Sequence, residues 1–311
     1  MDRRDFLKTL AVTGAVMTVQ SSEAMDVLAQ TFTNAGGSKV DLVAVMGGEP
    51  EAMFRRAIAE MGGMKSFIKP GQKVVVKPNI GWDKSPELAG NTNPKLITEI
   101  VKQCFAAGAK EVTVFDHTCD DWQKCYKNSG IEAAAKAAGA KVMPAHLESY
   151  YRNVSLPQGK KLKNAKIHEA ILNCDVWINV PVLKHHGGAQ LTISMKNHMG
   201  IVWDRGFFHQ NDLQQCIADI CTLQKKAVLN VVDAYRIVKT NGPQGRSASD
   251  VVLTKGLFIS QDIVAVDTAA AKFFNQVREM PLDTVGHLTN GEALKIGTMN
   301  LDKLNIKRIK I

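Results

Sequence analysis

Short apolar runs alternate with longer amphipathic stretches along most of the chain, which is the pattern of strands and helices following one another. Runs rich in valine and isoleucine predict strands at residues 39–45, 73–77, 111–115, 141–143, 175–182, 227–232 and 256–260. Apolar positions three and four residues apart predict helices at 51–61, 131–138, 212–223 and 264–277, and one more that begins at Asn93-Pro94 and ends at Gly108. Because strands alternate with helices, we predict an α/β fold, a mainly parallel β-sheet with helices on both faces.

The first 29 residues have the composition of an export signal. Arg3 and Arg4 precede Phe-Leu-Lys, and a mildly apolar stretch at residues 9–19 follows. This arrangement is typical of a twin-arginine signal with cleavage after Ala24 or Ala29, and its apolar part is shorter than the roughly 20 residues that span a bilayer. The alternative is a cytosolic N-terminal helix with a chance arginine pair. We predict periplasmic or other export through the twin-arginine machinery, no stable membrane span, and a single α/β domain over residues 30–311.

The charge balance favours a small anionic partner. The chain has a formal net charge of +9, and aromatic residues make up 6% of it. A basic balance suits nucleic acid, anionic lipid or acidic small molecules, but so few aromatic side chains offer little surface for base stacking, and exported proteins seldom meet nucleic acid. The basic run at residues 303–310 alternates with apolar positions, which predicts an edge strand rather than a binding tail. The sequence therefore predicts no nucleic-acid partner.

Polar side chains follow several predicted strands at their carboxyl ends. Lys77 and Asn79 follow the strand at 73–77, Asp116 follows the strand at 111–115, and Asp233 follows the strand at 227–232. The carboxyl ends of parallel strands meet at one edge of an α/β sheet, where ligands bind. Taken singly, Lys77 could be an ordinary strand-end lysine and Asp116 a turn cap. Together these four residues predict one polar rim along the edge of the sheet where the strands end.

Two basic stretches extend this rim. A Lys-His-His-Gly-Gly run follows the strand at 175–182, and a Ser-Met-Lys-Asn-His run comes shortly afterwards. These runs contain Lys184, His185, His186, Lys196, Asn197 and His198. Such residues beside glycine suit anion binding, metal ligation or proton transfer. His209 is a weaker candidate. For Asp267, a functional role and a structural role are both open, because the helix dipole favours an acid near the start of a helix.

The six cysteines contain no Cys-x-x-Cys pair, so no ferredoxin-type iron–sulfur cluster is expected. Cys104 and Cys174 lie in apolar patterns typical of core thiols. Cys119 and Cys125 flank a short polar loop. They either form a disulfide in an oxidising compartment or remain free, and the sequence leaves both open.

Taken together, these motifs resemble the domain of unknown function 362 family over roughly residues 40–274. In chain order the motifs are Lys77-Pro78-Asn79, Gly108-Ala109-Lys110-Glu111-Val112 before Asp116, Pro181-Val182-Leu183-Lys184-His185-His186-Gly187, Ser194 to Asn197, Asp233, and Val264 to Asp267. Many relatives are similar but carry ferredoxin-type cysteine runs, which this chain lacks. The resemblance implies the fold and a shared rim, but no particular reaction.

The leading hypothesis is an enzyme that acts on a small anionic substrate. The predicted catalytic residues are His186, as general acid or base, with Lys184 and Asp116. The predicted substrate-binding residues are Lys77, Asn79, Lys196, Asn197, Asp233 and Asp267. A divalent metal could assist through His185, His186 and His198 together with an aspartate, with His185 and His198 as the predicted metal ligands. The alternative is a non-catalytic metal- or anion-binding protein that serves a periplasmic redox system.

Replacing both Arg3 and Arg4 with lysine should leave the uncleaved precursor in the cytoplasm, because the charge is kept while the paired guanidinium groups are lost. Cell fractionation and immunoblotting of the double variant beside the unchanged protein checks this. The exported protein should begin at Met25 or Gln30 by N-terminal sequencing. Normal export of the double variant would contradict the twin-arginine prediction.

Overall fold

The computed structural model describes residues 39–311. The predicted signal sequence, residues 1–29, lies outside the described residues. Within 39–311, no helix combines the length and the apolar character that crossing a membrane requires.

A ten-stranded sheet forms the centre of the described chain, and a separate hairpin, β5–β6, lies apart from it. The strands are β1 (Leu42–Met46), β2 (Lys73–Pro78), β3 (Glu111–Val114), β4 (Lys141–Val142), β5 (Tyr151–Ser155), β6 (Asn164–His168), β7 (Val176–Val180), β8 (Val182–His186), β9 (Gln190–Thr192), β10 (Leu229–Val238), β11 (Val251–Ser260) and β12 (Ile306–Lys310). Eight of them lie side by side in the order β12-β1-β11-β10-β7-β2-β3-β4, while β8 pairs with β10 and β9.

Most of this sheet is parallel. Strands β4, β3, β2, β7 and β10 run in one direction, and β11 runs antiparallel to its two neighbours, β10 and β1. The C-terminal β12 lies at the edge, where it pairs in parallel with β1. The predicted α/β fold with a mainly parallel sheet is confirmed, and the basic C-terminal run forms an edge strand as predicted.

Helices cover both faces of the sheet. They are α1 (Pro50–Glu60), α2 (Pro94–Ala106), α3 (Trp122–Asn128), α4 (Ile131–Ala137), α5 (Glu169–Asn173), α6 (Ser194–Asn197), α7 (Gly206–Gln210), α8 (Leu213–Ile220), α9 (Ile263–Val277) and α10 (Gly286–Ala293). Successive residues of β1 enter opposite cores, since side chains alternate along a strand. Val43 packs in the core that contains Phe54 of α1 and Ile97 of α2. Ala44 packs in the core that contains Phe273 of α9.

Helix α2 has the boundaries that its sequence predicts. The Asn93 side chain accepts a hydrogen bond from the Lys95 N–H at 3.0 Å, and Pro94 occupies the first helical position. Gly108 has a φ of 99°, the left-handed conformation that glycine adopts readily beyond a helix end. Ile97 and Ile100 are fully buried against the sheet.

The structure corrects the predicted strands in three places. The strand predicted at 175–182 ends at Val180 as β7, because Pro181 has no N–H to continue the ladder. A further strand, β8, then includes Lys184 and His186, which were predicted to follow a strand. Strands β10 and β11 extend well beyond the predicted 227–232 and 256–260. The hairpin β5–β6 was not predicted, since its strands carry many exposed polar residues and lack the apolar runs used to find the others.

Ile100→Ala should lower the free energy of unfolding by about 2–5 kcal/mol, because it removes a fully buried side chain between α2 and the sheet. The matched control is Lys102→Ala on the exposed face of the same helix, which should change it by less than about 0.5 kcal/mol. Urea unfolding followed by circular dichroism measures both. Equal effects of the two changes would contradict the packing described for α2.

Candidate functional site

A cavity of about 450 Å³ opens at the carboxyl ends of β2 and β3. We call it the cationic cavity. All three predicted catalytic residues line it, as do four of the six predicted substrate-binding residues. These residues are Lys77, Asn79, Asp116, Lys184, His186, Lys196 and Asn197. Most of the predicted site residues therefore lie together in one cavity.

A buried ion pair lies at the base of the cationic cavity. Lys77 Nζ is 2.8 Å from Asp116 Oδ1, and the two side chains are 0% and 2% exposed. Lys77 Nζ also donates to the main-chain oxygen and to Oδ1 of Asn197, both at 2.8 Å. The Ile80 N–H donates to Asp116 Oδ2 at 2.6 Å. Burial lowers the pKa of Lys77, and the carboxylate of Asp116 opposes that shift. The pair joins the ends of β2 and β3 to α6.

The backbone at Gly200 passes directly against this ion pair. A Cβ atom at Gly200 would collide with Asp116 Oδ1 and Lys77 Nζ. The Gly200 carbonyl accepts a hydrogen bond from the His117 N–H at 3.1 Å, which ties the segment after α6 to the segment after β3. Position 200 therefore requires glycine for reasons of space.

Lys184 is a buried lysine whose hydrogen-bond acceptors are both uncharged. It lies in β8, and its Nζ donates to Asn79 Oδ1 at 3.0 Å and to the Gly90 carbonyl at 2.5 Å. Burial lowers the pKa of Lys184 to about 7, and the nearby Lys196 contributes to the shift. A lysine with this pKa is only partly protonated at neutral pH.

Positive charge exceeds negative charge in the cationic cavity. Its lining has the cations Lys77, Lys184, Lys196 and Arg205 against the carboxylate of Asp116. Within residues 39–311, the Lys196 ammonium makes no hydrogen bond or ion pair, and burial lowers its pKa to about 8. Arg205 donates to the carbonyls of His117 and Thr118. The lining thus includes an ammonium group without a hydrogen-bond acceptor among residues 39–311.

His186 has a defined tautomer. Its Nδ1 accepts hydrogen bonds from the N–H groups of Gly188, at 3.1 Å, and Ala189, at 3.0 Å. A neutral ring with Nδ1 as acceptor carries its proton on Nε2. Burial and the neighbouring lysines lower the pKa of His186 to about 2. The ring is therefore neutral at physiological pH, where it can donate one hydrogen bond.

Two predicted substrate-binding acids lie outside the cationic cavity. Asp233 accepts from the N–H groups of Asn93 and Tyr235, at 2.7 and 3.0 Å, so its carboxylate caps the start of α2. Asp267 accepts from the N–H groups of Ser194 and Met195, at 2.9 and 2.8 Å, at the start of α6. Burial raises the pKa of both acids, of Asp233 to about 6 and of Asp267 to about 7. Both carboxylates accept from backbone N–H groups and are absent from the cavity lining.

The two histidines predicted as metal ligands do not come together. His185 accepts a hydrogen bond from the Gly242 N–H at 3.1 Å, outside the cavity. His198 is buried, with its ring 4.9 Å from that of Trp177 and its Nδ1 3.0 Å from Cys221 Sγ. Within residues 39–311, no three His, Cys, Asp or Glu side chains form a group that fits a metal ion. The described residues therefore offer no ready metal centre at this site.

The cavity lining also includes residues that do not follow a predicted strand. Arg205 comes from the turn before α7, so no predicted element pointed to it. Cys119 is an exposed free thiol that lines the cavity, whereas Cys125 is free and buried. His209, the weaker candidate, also lines the cavity. For Gly200, the only sequence signal was its place just after the Ser-Met-Lys-Asn-His run.

The chain is thus an α/β protein with a cavity at its strand ends that is lined by more cationic than anionic side chains. Residues 74–272 match the family model described as "Domain of unknown function (DUF362)". The chain belongs to this family, which confirms the resemblance drawn from its motifs.

Known proteins show more distant similarity. "Thylakoid-associated protein sll1697" of Synechocystis sp. is 23% identical over 223 residues, which are 70% of this chain and 67% of that protein. The lactate racemase apoprotein of Thermoanaerobacterium thermosaccharolyticum aligns with a TM-score of 0.46 and 14% identity over 79% of this chain and 59% of that one. A Thermotoga maritima protein aligns with a TM-score of 0.46 and 9% identity over 79% of this chain and 60% of that one. This chain spans about three fifths of each solved structure's length, and these two likenesses concern the fold alone.

Lys184→Met should change stability in a way that depends on pH. Below about pH 7 Lys184 is charged in both the folded and the unfolded chain, so the folded protein bears the full desolvation cost. As pH rises from 7 towards 10, the folded lysine loses its proton first, and the unmodified protein gains stability that the methionine variant cannot gain. Relative to the methionine variant, the free energy of unfolding of the unmodified protein should therefore rise by about 2–3 kcal/mol between pH 7 and 9, at 1.36 kcal/mol per pH unit.

Chemical denaturation at pH 6, 7, 8 and 9 measures this trend. Lys102→Met on the exposed face of α2 is the control and should show no such trend. A flat difference for Lys184→Met would mean that this lysine keeps an ordinary pKa despite its burial.

Proposed function

We propose that this protein is an enzyme that binds a small organic oxyanion, a carboxylate or a phosphate, in the cationic cavity. The observation that carries the proposal is the uncompensated positive charge there, above all the Lys196 ammonium, which has no hydrogen-bond acceptor within residues 39–311. Several ammonium groups brought close together repel one another, so a bound anion would offset a cost that the fold otherwise bears.

In the proposed enzyme, different residues bind the anion and transfer the proton. The positively charged ammonium group of Lys196 attracts and binds the anion. Lys184 is the group suited to proton transfer, because a pKa of about 7 lets it both lose and regain a proton near neutral pH. His186, predicted as the general acid or base, suits a different role, since its neutral ring offers an Nε2–H donor to an oxygen of the substrate. Asp116 acts through Lys77, whose charge it balances.

The competing proposal is a non-catalytic protein that binds the same anion for a partner. It is supported by the same charges, and it differs in leaving the bound molecule unchanged. Incubation of bound carboxylates and phosphate esters with the protein, followed by mass spectrometry or NMR in deuterated water, distinguishes the two. An enzyme should change at least one ligand or exchange its protons, and Lys184→Met should abolish that change.

Export remains part of the proposal. Its support is the twin-arginine motif at Arg3 and Arg4, which lies outside the described residues. In an exported protein the oxyanion would be a molecule of the periplasm or cell exterior.

Sulfate affinity should be highest below about pH 7 and should fall as pH rises through 7 to 8, because Lys184 and Lys196 lose their protons in that range. Titration calorimetry between pH 6 and 9 measures this, and sulfate keeps a constant charge throughout. Lys196→Met should weaken sulfate binding at pH 6.5 by about tenfold or more, since a hydrogen bond to a charged group contributes about 1.5–3 kcal/mol.

The matched control is Lys102→Met, an exposed lysine remote from the cavity lining, which should leave sulfate affinity unchanged. The proposed anion site would be refuted by equal sulfate binding in the Lys196→Met variant and the unmodified protein. Absence of sulfate binding at every pH would refute it as well.

A further inference from the structure

A second and larger cavity lies beside the cationic cavity. Its volume is about 660 Å³, and it shares His117, Arg205 and Gly206 with the cationic cavity as common lining residues. We call it the neutral cavity. Each of the two cavities has the volume of an ordinary small-molecule site, for which about 300–1,000 Å³ is typical.

The neutral cavity differs from its neighbour in charge. Its acids Glu148 and Asp204 are matched by its bases Lys166 and Arg205, and Lys166 forms an ion pair with Glu148. The neutral cavity therefore lacks the excess of positive charge that favours an anion in the cationic cavity. A group that enters it gains nothing from carrying charge.

Apolar and aromatic side chains supply much of the wall of the neutral cavity. Leu162 and Val202 are buried beneath it, while Trp203 and Phe207 are partly exposed to it. Amide groups at its edge, those of Asn153 and Asn164, add hydrogen-bonding capacity. Flat aromatic surface bordered by amides suits an uncharged planar group with polar atoms at its edge.

The side chain of His117, which lines both cavities, is held by a stacked ring and a hydrogen bond. The His117 ring stacks on the indole of Trp203, with ring centroids 5.2 Å apart and planes 2° apart. His117 Nδ1 lies 2.8 Å from the Val202 carbonyl, and the Trp203 N–H donates to the Lys166 carbonyl at 3.0 Å. Gly206, which has no side chain, lies at the junction of the two cavities.

We propose that one ligand occupies both cavities, with its oxyanion beside Lys196 and an uncharged planar group against Trp203 in the neutral cavity. This inference rests on the proposed anion site and extends it from a small anion to a two-part organic acid or phosphate ester. Arg205 and His117, which line both cavities, then lie along the middle of the ligand.

Titration calorimetry at pH 6.5 tests this with two matched series. One comprises inorganic phosphate, phenyl phosphate and adenosine 5′-monophosphate, and the other comprises acetate, phenylacetate and 4-phenylbutyrate. At least one aromatic ligand should bind tenfold or more tightly than the parent ion of its series. If the parent ions bind and no aromatic ligand binds more tightly, the two-cavity inference is wrong and the anion site stands. If nothing binds, both fail.

Two variants locate the gain. Asn153→Trp and Asn164→Trp each place a large side chain at the exposed edge of the neutral cavity, and each should remove the aromatic gain while leaving affinity for the parent ion unchanged. Lys163→Trp is the control and should keep the gain, because Lys163 is exposed, is absent from the cavity lining, and points away from the face that carries Leu162 and Asn164. Thermal unfolding verifies that all three variants are folded. An aromatic gain that survives both blocking variants would overturn the assignment to this cavity.

Discussion

The buried ion pair between Lys77 and Asp116 is the interaction on which the geometry of the site depends. It joins the carboxyl ends of β2 and β3, and through Asn197 it reaches α6, so three elements that are distant in sequence meet at one point. A buried pair of this kind is stable only when the remaining hydrogen-bonding capacity of both groups is used, and here the Ile80 N–H and the oxygens of Asn197 supply those partners. The backbone at Gly200 closes against the pair because no Cβ stands in the way.

Helix α6 shows how this anchoring positions Lys196 in the lining of the cationic cavity. Four residues are too few for a helix to be stable on their own, because helix nucleation is unfavourable and each hydrogen bond adds little. Asp267 holds the first two N–H groups of α6, and Lys77 binds the carbonyl of its last residue, Asn197. Lys196 lies between these two fixed points. Asp267 therefore serves the site by positioning, although its carboxylate is remote from the cavity.

The alternation of strands and helices was readable from the sequence because buried parallel strands are apolar throughout. The same reasoning placed Lys77 and Asp116 correctly, since each comes at or just after a strand end. Asp233 was misplaced because β10 continues to Val238, so that Asp233 lies inside the strand, where its carboxylate accepts from the Asn93 and Tyr235 N–H groups. The sequence pattern ended that strand too early. Arg205 was not predicted for another reason. It comes from an irregular turn that only the tertiary fold brings to the cavity. The neutral state of His186 likewise follows from burial and nearby lysines, which a single sequence does not reveal.

A ligand that binds in the cationic cavity can be detected through the stability of the fold. A ligand that binds only the folded chain raises the free energy of unfolding by RT ln(1 + [L]/Kd), about 2.7 kcal/mol at a concentration one hundred times Kd. A shift of that size moves the melting temperature of a domain of this length by several degrees. Libraries of carboxylates and phosphate esters can therefore be ranked by melting temperature alone, and the natural ligand can be sought before any reaction is known.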